Sequence, residues 1–167
     1  MEDVQDEAAV IVRRSAILEA VYTRRFGHSV ESVWAALTEP QGLAQWLAPG
    51  RIELRQGGAA RLDFADSGIV IDSLVSGFEE GRLLEYSWSG PGEPLRPVRW
   101  RLEPHAGGCQ LTLTLQVPQA EDAARSFAGW EAHLEMLAAA LEGVPIKFPF
   151  DRFKSARDAY RAQLATA

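Results

Sequence analysis

Phe127-Ala-Gly-Trp-Glu-Ala-His-Leu-Glu-Met-Leu-Ala-Ala-Ala-Leu-Glu-Gly143 is the stretch that decides the fold. Ala123, Phe127, Trp130, Leu134, Leu137 and Leu141 recur at spacings of three and four, which places them on one helical face. The pattern predicts a long helix from about Ala120 to Glu142, with Glu121 and Asp122 in its first turn, where carboxylates favour the helix dipole. Gly143 and Pro145 end it. Almost everything upstream reads as short strands with one apolar face. A single helix laid along a curved sheet buries both faces, and what lies between them bears on function.

Working back from the helix, the clearest strand is the last: Leu111, Leu113, Leu115 and Val117 alternate with Gln110, Thr112, Thr114 and Gln116. That alternation belongs to an antiparallel sheet covered on one side only. Val98, Trp100 and Leu102 share a face of the strand before it, and Leu84, Tyr86 and Trp88 share a face of the one before that. Further strands are expected around Ile52 and Leu54, Leu62 and Phe64, and Ile69 to Phe78. Turn signals at Gly57-Gly58, Asp66-Ser67-Gly68 and Glu80-Gly81 separate them. Ala16 to Phe26 is a first strand whose inward face is ambiguous.

Two short helices interrupt the strands early. Ser29, with Ser32 as the alternative, caps Val30 to Thr38, and Pro40 opens Gln41 to Leu47. Residues 1–15 are read as a flexible arm, with a turn of helix or an edge strand over Ala8 to Val12 as the alternative. Beyond Gly143, Phe153, Ala156, Tyr160 and Leu164 make a weaker helical stripe in a C-terminal extension, residues 144–167, of the same domain. The extension is expected to pack on the domain or on a second subunit, so a homodimer is one candidate assembly.

Composition narrows the function. The 167 residues suit one domain with a sizeable core. A net charge of −6 opposes diffuse attraction to phosphate backbones, so no nucleic-acid partner is expected. No apolar run approaches the roughly 20 residues of a membrane span, and the acidic Met-Glu-Asp-Val-Gln-Asp-Glu start lacks the positive charge of an export signal. Membrane insertion is not expected, and a cytoplasmic location is. Cys109 is the sole cysteine, which rules out an intramolecular disulfide; it is expected to be a packed thiol within a strand.

The order of elements, with the motifs at its two ends, resembles the helix-grip fold. Val30-Glu-Ser-Val-Trp-Ala-Ala-Leu-Thr-Glu-Pro-Gln-Gly-Leu-Ala-Gln-Trp46 is similar to a signature of the START-like (SRPBCC, Bet v 1-like) superfamily, in its branch related to the Hsp90 ATPase activator. Gly129-Trp130, His133-Leu134 and Leu137 resemble the ending of that branch. The likeness covers residues 16–143. It implies an α+β domain: a curved antiparallel sheet of six to seven strands, two short helices after strand 1, a long helix across the concave face and, outside the shared pattern, an extra terminal helix. The superfamily hosts lipid carriers, cyclase-type enzymes, hormone receptors and chaperone regulators, so the resemblance alone does not select a function.

No nucleophile elbow, phosphate loop, dinucleotide fingerprint or metal-binding pair is present, and His28, His105 and His133 are spaced for no metal site. No metal and no cofactor are expected. His133 lies at the margin of the helical stripe, where it either turns a polar group into a cavity or flanks the core. Asp72 sits in an otherwise apolar strand and either faces the cavity as a base or pairs outward with an arginine. Whichever of Arg24 and Arg25 shares the inward face, that of Tyr22 or that of Val21, enters the interior, where a guanidinium can anchor an acidic group; otherwise it pairs across strands. The expected ligand-binding set is Trp46, Phe64, Tyr86, Trp88, Trp100, Phe127, Trp130, His133, Leu134 and Leu137, residues that either line a cavity or fill a core.

Three readings follow. The first is binding of a small hydrophobic or aromatic molecule between sheet and helix. The second is a cyclase- or hydratase-like enzyme using His133, Tyr86 or Asp72 for proton transfer. The third is an interaction module, with a chaperone as the candidate partner, acting through an exposed apolar patch near the short helices or the tail.

Overall fold

The computed structural model describes residues 8–64 and 67–165. Residues 1–7 of the expected arm and Asp66 of the expected turn lie outside the described residues. In chain order the elements are β1 (Val10–Arg14), β2 (Ile17–Phe26), α1 (Val30–Thr38), α2 (Pro40–Trp46), β3 (Gly50–Ile52) and β4 (Ala59–Phe64). They continue with β5 (Ile69–Glu79), β6 (Leu83–Ser87), β7 (Pro97–His105), β8 (Gly108–Pro118), α3 (Ala123–Leu141) and α4 (Phe150–Ala165). The strands form one antiparallel sheet in the order β1-β2-β8-β7-β6-β5-β4-β3. The fold is α+β, with a long curved sheet, two short helices, a long helix and a terminal helix.

Among the described residues eight strands replace the expected six to seven, and the short helices follow the second strand rather than the first. The added strand lies in the segment read as a flexible arm, where an edge strand over Ala8 to Val12 is the alternative. Ser15, at a φ of 54°, turns the chain so that Val10–Arg14 pairs with Ile17–Val21. Periodicity could not find this strand because Val10 and Val12 face solvent and Ile11 is only half-buried. What holds it is the edge of β2, whose backbone groups would otherwise go without a ladder.

The long helix begins at Ala123, three residues later than expected. Gln119 first donates its backbone N–H to Ala16 O at 2.7 Å, tying the chain to the β1–β2 turn. The Asp122 carboxylate then accepts from Arg125 N, so Asp122 is the cap rather than a first-turn residue. At the other end of the domain, a Cβ on Gly42 would lie 2.8 Å from Ala35 O and Ala36 Cα. Only glycine lets α2 approach α1 this closely, and the Trp46 indole N–H then reaches Ala36 O at 2.8 Å. That contact aims Trp46 inward.

The core lies between the sheet's inner face and α1, α2 and α3. Leu18, Ala20, Tyr22, Arg24 and Phe26 of β2 all point into it, settling the inward face that the sequence left open. α3 is held down by the Tyr22 hydroxyl, which donates to Phe127 O at 2.7 Å. α4 packs on α3 of its own chain, with Ala156 and Tyr160 buried.

Candidate functional site

α3 has two chemically different flanks. On the first, toward α2 and the far strands, rings from four elements and the β6–β7 loop meet. Trp46 stands edge-on to Trp100 at 5.7 Å, Trp100 meets Trp130 at 5.7 Å, and Trp130 meets Trp88 at 4.7 Å. Trp88 touches Phe64 at 5.7 Å, and Phe64 touches His133 at 6.3 Å. His133 closes the ring of rings by approaching Trp46 at 6.5 Å and Trp130 at 6.0 Å. Each such pair adds about 0.5–1.5 kcal/mol beyond the area it buries. Trp46 and Trp100 are fully buried, whereas Phe64, Trp88 and His133 are half-buried, so the cluster runs from the core to the surface.

His133 Nδ1 lies 3.1 Å from Trp46 O. A carbonyl only accepts, so Nδ1 carries the hydrogen and Nε2 keeps its lone pair. Burial holds the imidazole below its ordinary pKa, against the opposing pull of the Trp46 carbonyl. Tyr86 also faces inward, with its hydroxyl buried near Trp100 of the same cluster, and burial raises its pKa.

The other flank of α3 is polar. Tyr160 of α4 accepts the Ala9 backbone N–H at 2.8 Å and donates to Glu131 Oε1. Arg152 Nε stands 3.4 Å from Glu131 Oε2. Glu131 is 5% exposed and Arg24 of β2 is 1% exposed. The Arg24 Nη1 donates to Thr23 O at 2.9 Å and its guanidinium carbon lies 5.8 Å from the Tyr22 ring centre. Its Nε and Nη2 have no partner. Each unsatisfied buried donor costs about 1–3 kcal/mol. Burial lowers the Arg24 pKa and Glu131 opposes that shift, while Tyr22 and Tyr160 are both raised, chiefly by burial.

Of the expected ligand-binding set, Trp46, Phe64, Trp88, Trp100, Trp130 and His133 converge in the ring cluster. Phe127 turns to the other flank, 5.8 Å from the Tyr160 ring, and Leu134 and Leu137 are buried along α3. Sequence reasoning assigned no role to Phe148, which lies between α3 and α4 and covers His133 at 5.5 Å. It missed Glu131 as well. The signal was there: Glu131 falls four residues after Phe127 and three before Leu134, a carboxylate within the apolar stripe.

The remaining candidates lie outside both flanks. Asp72 pairs with Arg61 across β4–β5 at 3.8 Å on the outer face. Arg25 faces outward, with Nε donating to Gln110 Oε1 at 3.0 Å. His28 sits 3.4 Å from Glu142. Cys109 is fully buried, and burial pushes its thiol up to about 11, which disfavours the thiolate a nucleophile needs. Among the described residues no group of three or more His, Cys, Asp or Glu is placed to hold a metal, and no helix is long and apolar enough to cross a membrane. Two surface hollows lie away from the rings: one of about 350 Å³ where Arg13 and Gln119 face Arg161 and Leu164, the other of about 270 Å³ between Arg51, Arg61 and Val70.

A helix resting on a curved sheet, entered through two short helices and lined by rings, defines the helix-grip, START-like class of protein. Residues 28–142 match the family described as Activator of Hsp90 ATPase homolog 1-like protein, and the chain belongs to that family. CalU16 from Micromonospora echinospora has a similar structure, with a TM-score of 0.76 and 23% identity over 92% of this chain and 95% of its own. EF2215 from Enterococcus faecalis, a conserved protein of unknown function, superposes with a TM-score of 0.79 and 19% identity over 95% of this chain and 91% of its own. DynU16, from the dynemicin biosynthetic locus, is 31% identical over 76% of this chain and 48% of its own, with a TM-score of 0.68. Among curated proteins none matches the chain.

Proposed function

We propose that this domain binds a small, largely apolar molecule between the sheet and α3, at the aromatic flank. The observation that carries the reading is the continuous path of rings from buried Trp46 and Trp100 to half-buried Phe64, Trp88 and His133, capped by Phe148. Rings in edge-to-face contact offer flat surfaces to a flat ligand once one of them moves. Phe148 is the ring to move, because it sits on an irregular segment bracketed by Pro145 and Pro149 rather than on a strand or helix. The biosynthetic locus of DynU16 supports a small-molecule ligand over a macromolecular one.

The test is a thermal-shift and native mass-spectrometry screen of flat aromatic and lipid-like compounds. A specific one-to-one complex with a raised Tm and quenched tryptophan fluorescence is the expected result. Phe148→Ala should shorten the lag in binding and leave the set of ligands unchanged. An interior that answers no compound in either protein overturns the reading.

A second reading, proton transfer on the bound molecule, draws on His133. Its Nδ1–H is committed to Trp46 O, so Nε2 is left as a base among the rings. His133→Gln should then abolish turnover of any ligand that is converted, while leaving its binding intact.

A further inference from the structure

Arg24 is a charged group buried in the domain with its best donors unused. Nε–H and Nη2–H point in the same direction, and they are the parallel pair with which a guanidinium grips both oxygens of a carboxylate. The third nitrogen, Nη1, is held by Thr23 O, and the Tyr22 ring lies against the guanidinium, so the fork is fixed in place. Glu131 is the carboxylate that acts on Arg24, but its oxygens are engaged by Tyr160 and Arg152. A buried cation whose fork is left open by its neighbouring acid is arranged for a carboxylate brought from outside.

Strand register says where the rest of such a ligand lies. Tyr22 of β2 pairs with Leu113 of β8, and Leu113 pairs with Trp100 of β7. Arg24 follows two residues along β2 on the same face, opposite Leu111. Two strand spacings separate β2 from β7, roughly 10 Å. With Arg24 displaced two residues along the strand, roughly 7 Å, a molecule of about 12 Å beneath α3 spans from the Arg24 fork to the Trp100–Trp130 rings. The elements that cover the two ends are consecutive: Phe148 lies over His133, and α4 brings Arg152 and Tyr160 over Glu131. A displacement of residues 144–165 would uncover His133 and Glu131.

We infer that the ligand is an amphipathic acid, an aromatic or alkyl carboxylate whose carboxylate is held bidentately by Arg24 and whose apolar body reaches the ring cluster. The inference rests on the reading that the space between sheet and α3 accepts a ligand, and adds to it the ligand's charge and polarity.

The experiment pairs each acid with its neutral counterpart: 2-naphthoate with methyl 2-naphthoate, and decanoate with methyl decanoate, measured by calorimetry and thermal shift on the full chain. The wild-type protein should bind the acids at least about tenfold more tightly than the esters, the factor that one charged hydrogen-bonded pair supplies. Arg24→Met should keep ester binding, lose the preference for acids, and melt no lower than the wild type without ligand, since it removes an unsatisfied charge. If Arg24→Met does not fold, Arg24→Lys decides, because it keeps the charge but not the parallel pair: loss of the acid preference supports the anchor, and full retention overturns it. Equal binding of acid and ester by the wild type overturns the anchor and leaves the binding reading standing. No binding of either overturns both.

Discussion

The two flanks of α3 are built from one helix and solve opposite problems. On the aromatic flank, Trp130 and His133 enter a cluster of rings from α2, β4, β6–β7 and the segment after α3, where nearly every contact is apolar and the sole hydrogen bond described for His133 goes to a backbone carbonyl. On the polar flank, Glu131 enters a network of two tyrosines and two arginines. The first can change shape cheaply, since ring contacts are weakly directional. The second changes shape only by breaking specific pairs, those of Tyr160 and Arg152 with Glu131, since each buried polar group needs a particular partner. Adaptability on one side and fixed charge on the other is what a site for an amphipathic molecule requires.

The comparison breaks most visibly if the aromatic flank is truncated. Trp100 is fully buried and touches both Trp46 and Trp130. Trp100→Ala should lower the unfolding free energy by about 3–5 kcal/mol, read from urea denaturation, through lost burial and the cavity left behind. A loss well under that range would mean that neighbouring rings collapse into the space, which would sharpen the view of this flank as adaptable.

The polar flank is probed by Tyr160→Phe, which keeps the ring against Phe127 and removes only the hydroxyl. The Ala9 N–H and one oxygen of Glu131 then lose their partner. A destabilisation of about 1–3 kcal/mol is expected in the same denaturation experiment. Unchanged stability would show that the network adds nothing to the apo protein and would blur the distinction between the flanks.

The two flanks also differ in how far the sequence revealed them. Period-two alternation and the Val30 to Trp46 and Gly129 to Leu137 motifs were enough for the fold, because the core strands and the long helix each bury one regular face. The aromatic flank followed, since rings on inward positions of such elements must meet. The edge strand β1 stayed one alternative over Ala8 to Val12, because its side chains carry no burial pattern and its pairing is a backbone matter. The polar flank was legible only in part, for a different reason. The sequence offers Arg24 or Arg25 as an interior anchor, but Ala9, Glu131 and Tyr160 come from distant parts of the chain, and each alone reads as an arm or stripe residue. Glu131, a carboxylate inside an apolar stripe, was the further signal that something was waiting to pair with it. Phe148 was hidden by lying in a segment without periodicity.

The subtlest difference between the flanks is their response to acid. His133 has its pKa lowered by burial, so the folded protein favours the neutral ring while the unfolded chain protonates near the ordinary value of about 6.5. Above that value both states are neutral and the residue contributes no pH dependence. As pH falls through it, the unfolded chain takes up the proton first, and stability is lost until the pH drops below the folded value. The urea midpoint of the wild type should therefore fall from pH 7 to pH 5 more steeply than that of His133→Gln, which cannot titrate. Carboxylates elsewhere contribute alike to both proteins and cancel in the comparison. Parallel curves would mean that His133 accepts a proton among the rings without penalty, and the aromatic flank would then tolerate charge as the polar flank does.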